Sequence, residues 1–251
     1  MAAPDLSLVI PVYNEKDNLR PLWKEILEAL GPMGRPFEVL FIDDGSTDGS
    51  GELIDQLARE APQVRAVHFL RNAGQSAGFD AGFRLARGGI LVTLDADLQN
   101  DPADIPLLVA KLEASRAGAV IGVRVGRRDS LVRRVSSRVC NFVRNTLTQD
   151  HITDTGCSLK AYRRQAVASL KMFNGMHRFL PTLIRIEGHE VLETPVRHRE
   201  RRHGTSKYGI SNRALRGLAD VLAVRWMRRR ALHYEVREGS HPSRLDRERS
   251  G

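Results

Sequence analysis

Gly89-Ile90-Leu91-Val92-Thr93-Leu94-Asp95-Ala96-Asp97-Leu98-Gln99-Asn100-Asp101-Pro102 passes from an apolar run to a cluster of acids and turn formers within a few residues. The first part predicts a buried strand, and the polar segment predicts its end. Four other runs have this form: Leu6 to Ile10 before Pro11, Phe37 to Ile42 before Asp43, Val64 to Leu70, and Ala117 to Val123. Leu19, Leu22, Trp23, Ile26, Leu27 and Leu30 form one helical stripe between the first two runs. Further helices are expected over 51–60, 76–87 and 104–115. Buried strands alternating with helices predict an α/β fold, a parallel sheet with helices on both faces. Ligands of such sheets collect beyond the carboxyl ends of the strands, so the residues there matter most.

Those ends are rich in acids. The first run leads into Pro11-Val12-Tyr13-Asn14-Glu15 and the second into Asp43-Asp44-Gly45-Ser46-Thr47-Asp48. Asp95 and Asp97 flank Ala96, and alternation along an extended segment would turn both carboxylates to one side. Two carboxylates at that spacing suit Mg2+ or Mn2+, hard cations that share their coordination with phosphates. The competing reading is a solvated turn at a strand end. No Gly-x-Gly-x-x-Gly follows the first strand and no Walker-type phosphate loop occurs, which argues against a dehydrogenase or a P-loop ATPase.

At 251 residues and 41% hydrophobic, the chain can bury a substantial core. Its formal charge of +9 is unevenly placed. Residues 1–120 carry 11 Lys+Arg against 18 Asp+Glu, whereas residues 121–251 carry 28 against 12. An acidic front half fits a cation site, and a basic back half fits phosphates on lipid or nucleic acid. No apolar run is long enough to span a bilayer, and the first residues lack the pattern of a signal peptide. Cys140 and Cys157 lack metal-ligand spacing and read as free thiols, which points to a cytoplasmic setting.

Pro11-Val12-Tyr13-Asn14-Glu15, Asp43-Asp44-Gly45-Ser46-Thr47-Asp48 and Asp95-Ala96-Asp97-Leu98-Gln99 together resemble the three signatures of glycosyltransferase family 2. The resemblance implies a GT-A nucleotide-diphospho-sugar fold with a mostly parallel sheet, and an inverting mechanism. It places Pro11, Tyr13 and Glu15 in the nucleoside pocket and Asp44 by the base or ribose. Asp43 has two open roles, substrate contact or capping of its own turn. Asp95 and Asp97, joined by Gln99, would hold Mg2+ or Mn2+ on the donor diphosphate, with Ala96 between them. Arg71-Asn72-Ala73-Gly74-Gln75-Ser76 resembles the next donor loop, which adds Asn72 and Gln75.

The back half resembles the polyprenyl-phosphate branch of that family. The resemblance assigns the acceptor phosphate to Arg124 and to Arg133 and Ser137, one turn apart on a helix expected from about 130 to 147. Asp154-Thr155-Gly156-Cys157-Ser158-Leu159-Lys160 resembles an Asp-x-x-Ser-Gly-Phe-Arg segment but replaces its last four residues. Asp154 is thus either a catalytic base or an acceptor-orienting group, and a lipid phosphate needs little deprotonation to attack. Arg201-Arg202-His203-Gly204-Thr205-Ser206-Lys207 resembles an Arg-x-x-Gly-x-Ser-Lys loop, with Arg201 and Lys207 closing over the donor diphosphate. His198 and His203 lack the further ligands that a metal site would need.

A final helix is expected from Asn212 to Arg230. Leu215, Leu218, Ala219, Leu222 and Trp226 share one face amid arginines, suiting either core packing or an anionic lipid surface. Leu222-Ala223-Val224-Arg225-Trp226 misses the glutamine of the Gln-x-x-Arg-Trp found in processive synthases. The expectation is a single domain over 1–230, donor and metal half 1–123 and acceptor and membrane-facing half 124–230, with a basic flexible tail over 231–251. The expected activity is transfer of one sugar from a UDP- or GDP-linked donor to a polyprenyl phosphate, by a peripheral protein on the inner face of the membrane. A family 2 enzyme with a glycan or protein acceptor is the alternative. A nucleic-acid binder is more distant, since it leaves the acids idle, and nucleic acid is not among the expected partners. The sequence carries no signal of oligomeric state.

Overall fold

The computed structural model describes residues 3–125, 152–200 and 211–232. Its elements begin with β1 (Leu6–Val12), α1 (Lys16–Leu30), β2 (Phe37–Asp43), α2 (Ser50–Glu60) and β3 (Val64–His68). There follow α3 (Gln75–Leu85), β4 (Ile90–Thr93), α4 (Ile105–Glu113) and β5 (Ala119–Arg124). The later described residues form β6 (Lys160–Arg163), α5 (Arg164–Ala168), α6 (Leu180–Ile186), β7 (Val191–Val196) and α7 (Ser211–Arg230). The five strands expected from sequence are present, each within two residues of its expected start. β6 and β7 are additions whose short, mixed composition hides them. The helix expected over 130–147 and the tail beyond 232 lie outside the described residues.

The strands form one sheet in the order β3-β2-β1-β4-β6-β5-β7. All neighbours pair in parallel except β6, which runs antiparallel to both β4 and β5. Val12 pairs with Asp43, Asp43 with His68, and Val9 with Thr93, so the carboxyl ends of β1 to β4 share one edge. Because β6 is reversed, its amino end joins that edge, with Lys160 opposite both Thr93 and Ile121.

Strand alternation splits the core into two layers. Leu6, Leu8 and Ile10 of β1 and Val39 and Phe41 of β2 pack with Leu19, Leu22 and Ile26 of α1, Ile54 of α2 and Leu108 of α4. Val9, Leu40 and Ile42 face the other way, toward Phe79 and Phe83 of α3, Leu183 of α6 and Val221 and Val224 of α7. Gly82 lets α3 lie close on β1, since a Cβ there would stand only 2.1 Å from a Val9 methyl carbon.

The edge opposite the acidic loops is fastened by a charge. Glu38 is 2% exposed and accepts from the Ser7 hydroxyl at 2.7 Å, the Arg87 amide at 2.7 Å, Arg87 Nε at 2.9 Å and Arg65 at 2.9 Å. Burial pushes its pKa up, but the bonds from Ser7, Arg87 and Arg65 outweigh burial and hold it below the usual carboxylate range. The ionised form therefore stabilises the fold at neutral pH, and this contribution fades as pH falls through the lowered folded pKa. Glu38→Gln is expected to cost about 2 kcal/mol at pH 7, a loss typical of hydrogen bonds to a charge. The difference from wild type should shrink on acidification, as checked by urea unfolding from pH 7 down to pH 3.

Candidate active site

β4 ends at Thr93, two residues before the first acid, so Asp95-Ala96-Asp97 forms a turn rather than the extended segment expected. Ala96, Asp97 and Leu98 are buried, and Leu98 holds a positive φ of 61°. The two carboxylates still act on each other. Burial first, and the charge of Asp97 second, push Asp95 well above the usual carboxylate range, against the Ser158 hydroxyl, Lys160 and Arg124. Two acids in such tension suit a divalent cation. Among the described residues, no group of three or more His, Cys, Asp or Glu side chains is placed to hold a metal ion. A cation on Asp95 and Asp97, joined by Gln99, would therefore complete its shell from phosphates and water, the habit of Mg2+.

The loops expected to take the donor are knit to one another. Asn14, in the left-handed region at φ 54°, donates its amide to the Ser46 hydroxyl and accepts from the Thr47 amide on its side-chain oxygen at 2.7 Å. The Glu15 amide donates to the Ser50 hydroxyl, and the Glu15 carboxylate accepts from Asn18 at 2.6 Å. Tyr13 is 36% exposed beside them, and Pro11 lies under α3 against Gly78. Asp43 accepts from the Ser46 amide, so it caps its own turn, and its other oxygen lies 3.1 Å from His68 Nδ1.

Asp44 is buried, and its carboxylate accepts from Asn72 Nδ2 at 2.9 Å and from the amides of Ala73 and Gly74 at 2.6 and 2.9 Å. It thereby holds the 72–74 loop in place. Gln75, the first residue of α3, donates its side-chain amide to Asp95 Oδ1 at 2.7 Å. Gln99 is held through its main chain: its amide donates to Asp97 Oδ1, and its carbonyl accepts from the Arg199 amide.

On the other side of the acids, Arg124 at the end of β5 grips Asp154 in a two-pronged pair of 2.7 and 2.8 Å. Lys160 is buried nearby; desolvation lowers its pKa, opposed by Cys157, Asp95 and Asp154. Arg133, Ser137, Arg201 and Lys207 lie outside the described residues; of the residues expected on the acceptor side, Arg124 and Asp154 are described.

Several contributors were not expected. Arg197 and Arg199, which no motif marks in the sequence, clamp the acidic loop: Arg197 pairs with Asp101 and Asp104, and Arg199 with Asp101 and Glu25. Ser158 and Asn100 meet beneath Asp95 at 2.7 Å. The only hint of Ser158 was the departure of 157–160 from the motif that they resemble. Nothing in the sequence pairs Arg197 with Asp104.

Comparison with known proteins accords with this arrangement. Residues 7–170 match the family described as Glycosyl transferase family 2. Dodecaprenyl-phosphate galacturonate synthase of Rhizobium johnstonii is 37% identical over 94% of this chain and 69% of its own length. Undecaprenyl-phosphate 4-deoxy-4-formamido-L-arabinose transferase of Edwardsiella ictaluri is 41% identical over 82% of this chain and 63% of its own. The chain thus spans about two thirds of the length of these curated relatives. Among solved structures, a Pyrobaculum calidifontis mannosyltransferase in complex with GDP-Man and Mn2+ superposes with a TM-score of 0.59 at 23% identity, over 96% of this chain and 67% of that one. Glucosyl-3-phosphoglycerate synthase from Mycobacterium tuberculosis, with Mn2+ and UDP-Glc, gives 0.64 at 21% identity, over 89% and 79%. These two likenesses establish the GT-A type of fold. With the signature loops at the shared sheet edge and the family match running from β1 through α5, the chain belongs to glycosyl transferase family 2.

Proposed function

We propose that the protein transfers one sugar from a nucleotide-diphospho-sugar to a polyprenyl phosphate at a membrane surface, with inversion. The observation that carries this reading is the meeting, at one sheet edge, of the Asp95–Asp97 pair with Arg124, Asp154 and Lys160. Both curated relatives named above act on polyprenyl phosphates by their names, which supports the same acceptor class here.

In this scheme Asp95, Asp97 and Gln99 would hold Mg2+ or Mn2+, which would draw charge from the leaving diphosphate. The loops of Pro11, Tyr13, Glu15, Asp43 and Asp44 receive the nucleoside, and Asn72 and Gln75 border the sugar diphosphate. Arg124, with Arg133 and Ser137, orients the acceptor phosphate, and Arg201 and Lys207 close on the donor. An oxygen of the lipid phosphate bonds to the anomeric carbon as the bond from that carbon to the diphosphate oxygen breaks, and the nucleoside diphosphate departs. Asp154 is engaged by Arg124, so we assign it to orienting that guanidinium rather than to removing a proton.

The membrane contact is assigned to α7. Val221 and Val224 turn into the core, leaving Leu222 and Trp226 at 52% and 64% exposure beside Arg229 and Arg230. Apolar anchors among cations suit an anionic bilayer. No helix among the described residues is long and apolar enough to cross a membrane.

Incubation with short-chain polyprenyl phosphate and a panel of radiolabelled UDP- and GDP-sugars tests the reaction. Labelled lipid product is expected with one donor, and label passing only to glycan or protein would overturn the acceptor assignment. Asp97→Asn is expected to lower transfer more than about a hundredfold, the scale of losing a metal ligand, with the melting temperature little changed. Asp154→Asn should raise the KM for polyprenyl phosphate about tenfold and leave the donor KM and the pH profile in place. A collapse of kcat with loss of the basic limb of that profile would instead identify Asp154 as a base. The double variant Leu222→Ala, Trp226→Ala is expected to bind anionic vesicles about tenfold less, on the scale of losing two apolar anchors. Its turnover of a water-soluble short-chain acceptor should be unchanged.

A further inference from the structure

Ser158 precedes β6 in the stretch where this chain departs from the motif that it resembles, standing in place of a glycine. It is buried, and its hydroxyl oxygen accepts from the Asp95 amide at 3.2 Å and from Asn100 Nδ2 at 2.7 Å. The Ser158 carbonyl accepts from the Thr93 hydroxyl at 2.6 Å, anchoring the serine to the last residue of β4. Asn100 is held from its other end, since the Cys157 thiol donates to Asn100 Oδ1 at 3.6 Å. One side chain therefore ties both ends of the Asp95–Asn100 loop to the start of β6.

That loop needs such a tie. Leu98 at its centre sits at φ 61°, a conformation that a leucine keeps only where its surroundings hold it. Asn100 is itself buried, so a glycine at 158 would leave its amide donor and the Asp95 N–H without this acceptor. The opposite side of the loop is already fastened by Arg199, whose amide donates to the Gln99 carbonyl and whose guanidinium pairs with Asp101. Ser158 supplies the fastening directly behind the acids.

We propose that Ser158 is a positioning residue that fixes the Asp95–Asn100 loop so that both carboxylates stand ready for a divalent cation before the donor arrives. The inference rests on the reading of Asp95 and Asp97 as the metal seat. A seat built in advance avoids the cost of ordering the loop at each binding event, and groups behind a ligand act through such orientation.

The test is Ser158→Ala. Free Mn2+ is followed by electron paramagnetic resonance as it is titrated into the protein with uridine diphosphate, and in parallel with guanosine diphosphate. Amide hydrogen exchange over residues 95–100 is measured on the same samples. The expected result is Mn2+ binding weakened about 10- to 100-fold, the usual scale for groups behind metal ligands. Faster exchange confined to the loop should accompany it. Mn2+ affinity within about twofold of wild type, far below that scale, overturns the proposal whatever happens to the melting temperature. Should Ser158→Ala not fold, Asn100→Ala removes one arm of the same tie and is judged by the same criterion. Wild-type protein that binds Mn2+ with neither nucleotide overturns the functional reading and this inference with it. Firm wild-type binding beside an indifferent variant overturns the inference alone.

Discussion

The arrangement depends on strand register. In β1, β2 and β4 the interior of the sheet is paired residue by residue, and buried apolar side chains cover both faces, so no strand can slip without exposing a core layer. The loops at the shared edge inherit that fixity. Asn14 meets Ser46 and Thr47, Asp44 meets the 72–74 loop, and Gln75 reaches Asp95, because their strands deliver them to one level. The reversed β6 adds what four parallel strands could not. It brings the residues before a strand, rather than those after one, to the same edge, and with them Ser158 and Lys160.

This also explains what could be read in advance. The five apolar runs and the acids that follow them mark strands and strand ends through local composition alone, so the loops that we propose for the donor were legible as strand ends, Asp95 and Asp97 included. β6 was not: Lys160-Ala161-Tyr162-Arg163 is four residues long and carries charge at both ends. Lys160 reads as a surface residue until the fold buries it between β4 and β5. Asp44 and Asp154 stand out in the sequence, yet Asn72, Ala73 and Gly74, which bond Asp44, and Arg124, which grips Asp154, lie 28 to 30 residues away, a separation no local pattern reports. The turn at Ala96 was likewise hidden, because alternation presumes a strand that had already ended.

Charge is segregated by setting as well as by sequence position. Two groups of arginines in the described back half contrast with one another. Arg124, Arg197 and Arg199 are engaged by carboxylates and fix loops. Arg228, Arg229 and Arg230 are exposed in the last turn of α7. A basic composition alone would have treated them as one surface.

The Glu38 cluster sits at the far margin of the sheet from the acids and loops of the active site. The Glu38 fastening and the rim that we propose to be reactive therefore lie on opposite margins of one scaffold. Descendants of this chain are free to remodel the reactive rim for a new sugar while the distant rim continues to supply the safety margin that such trials consume.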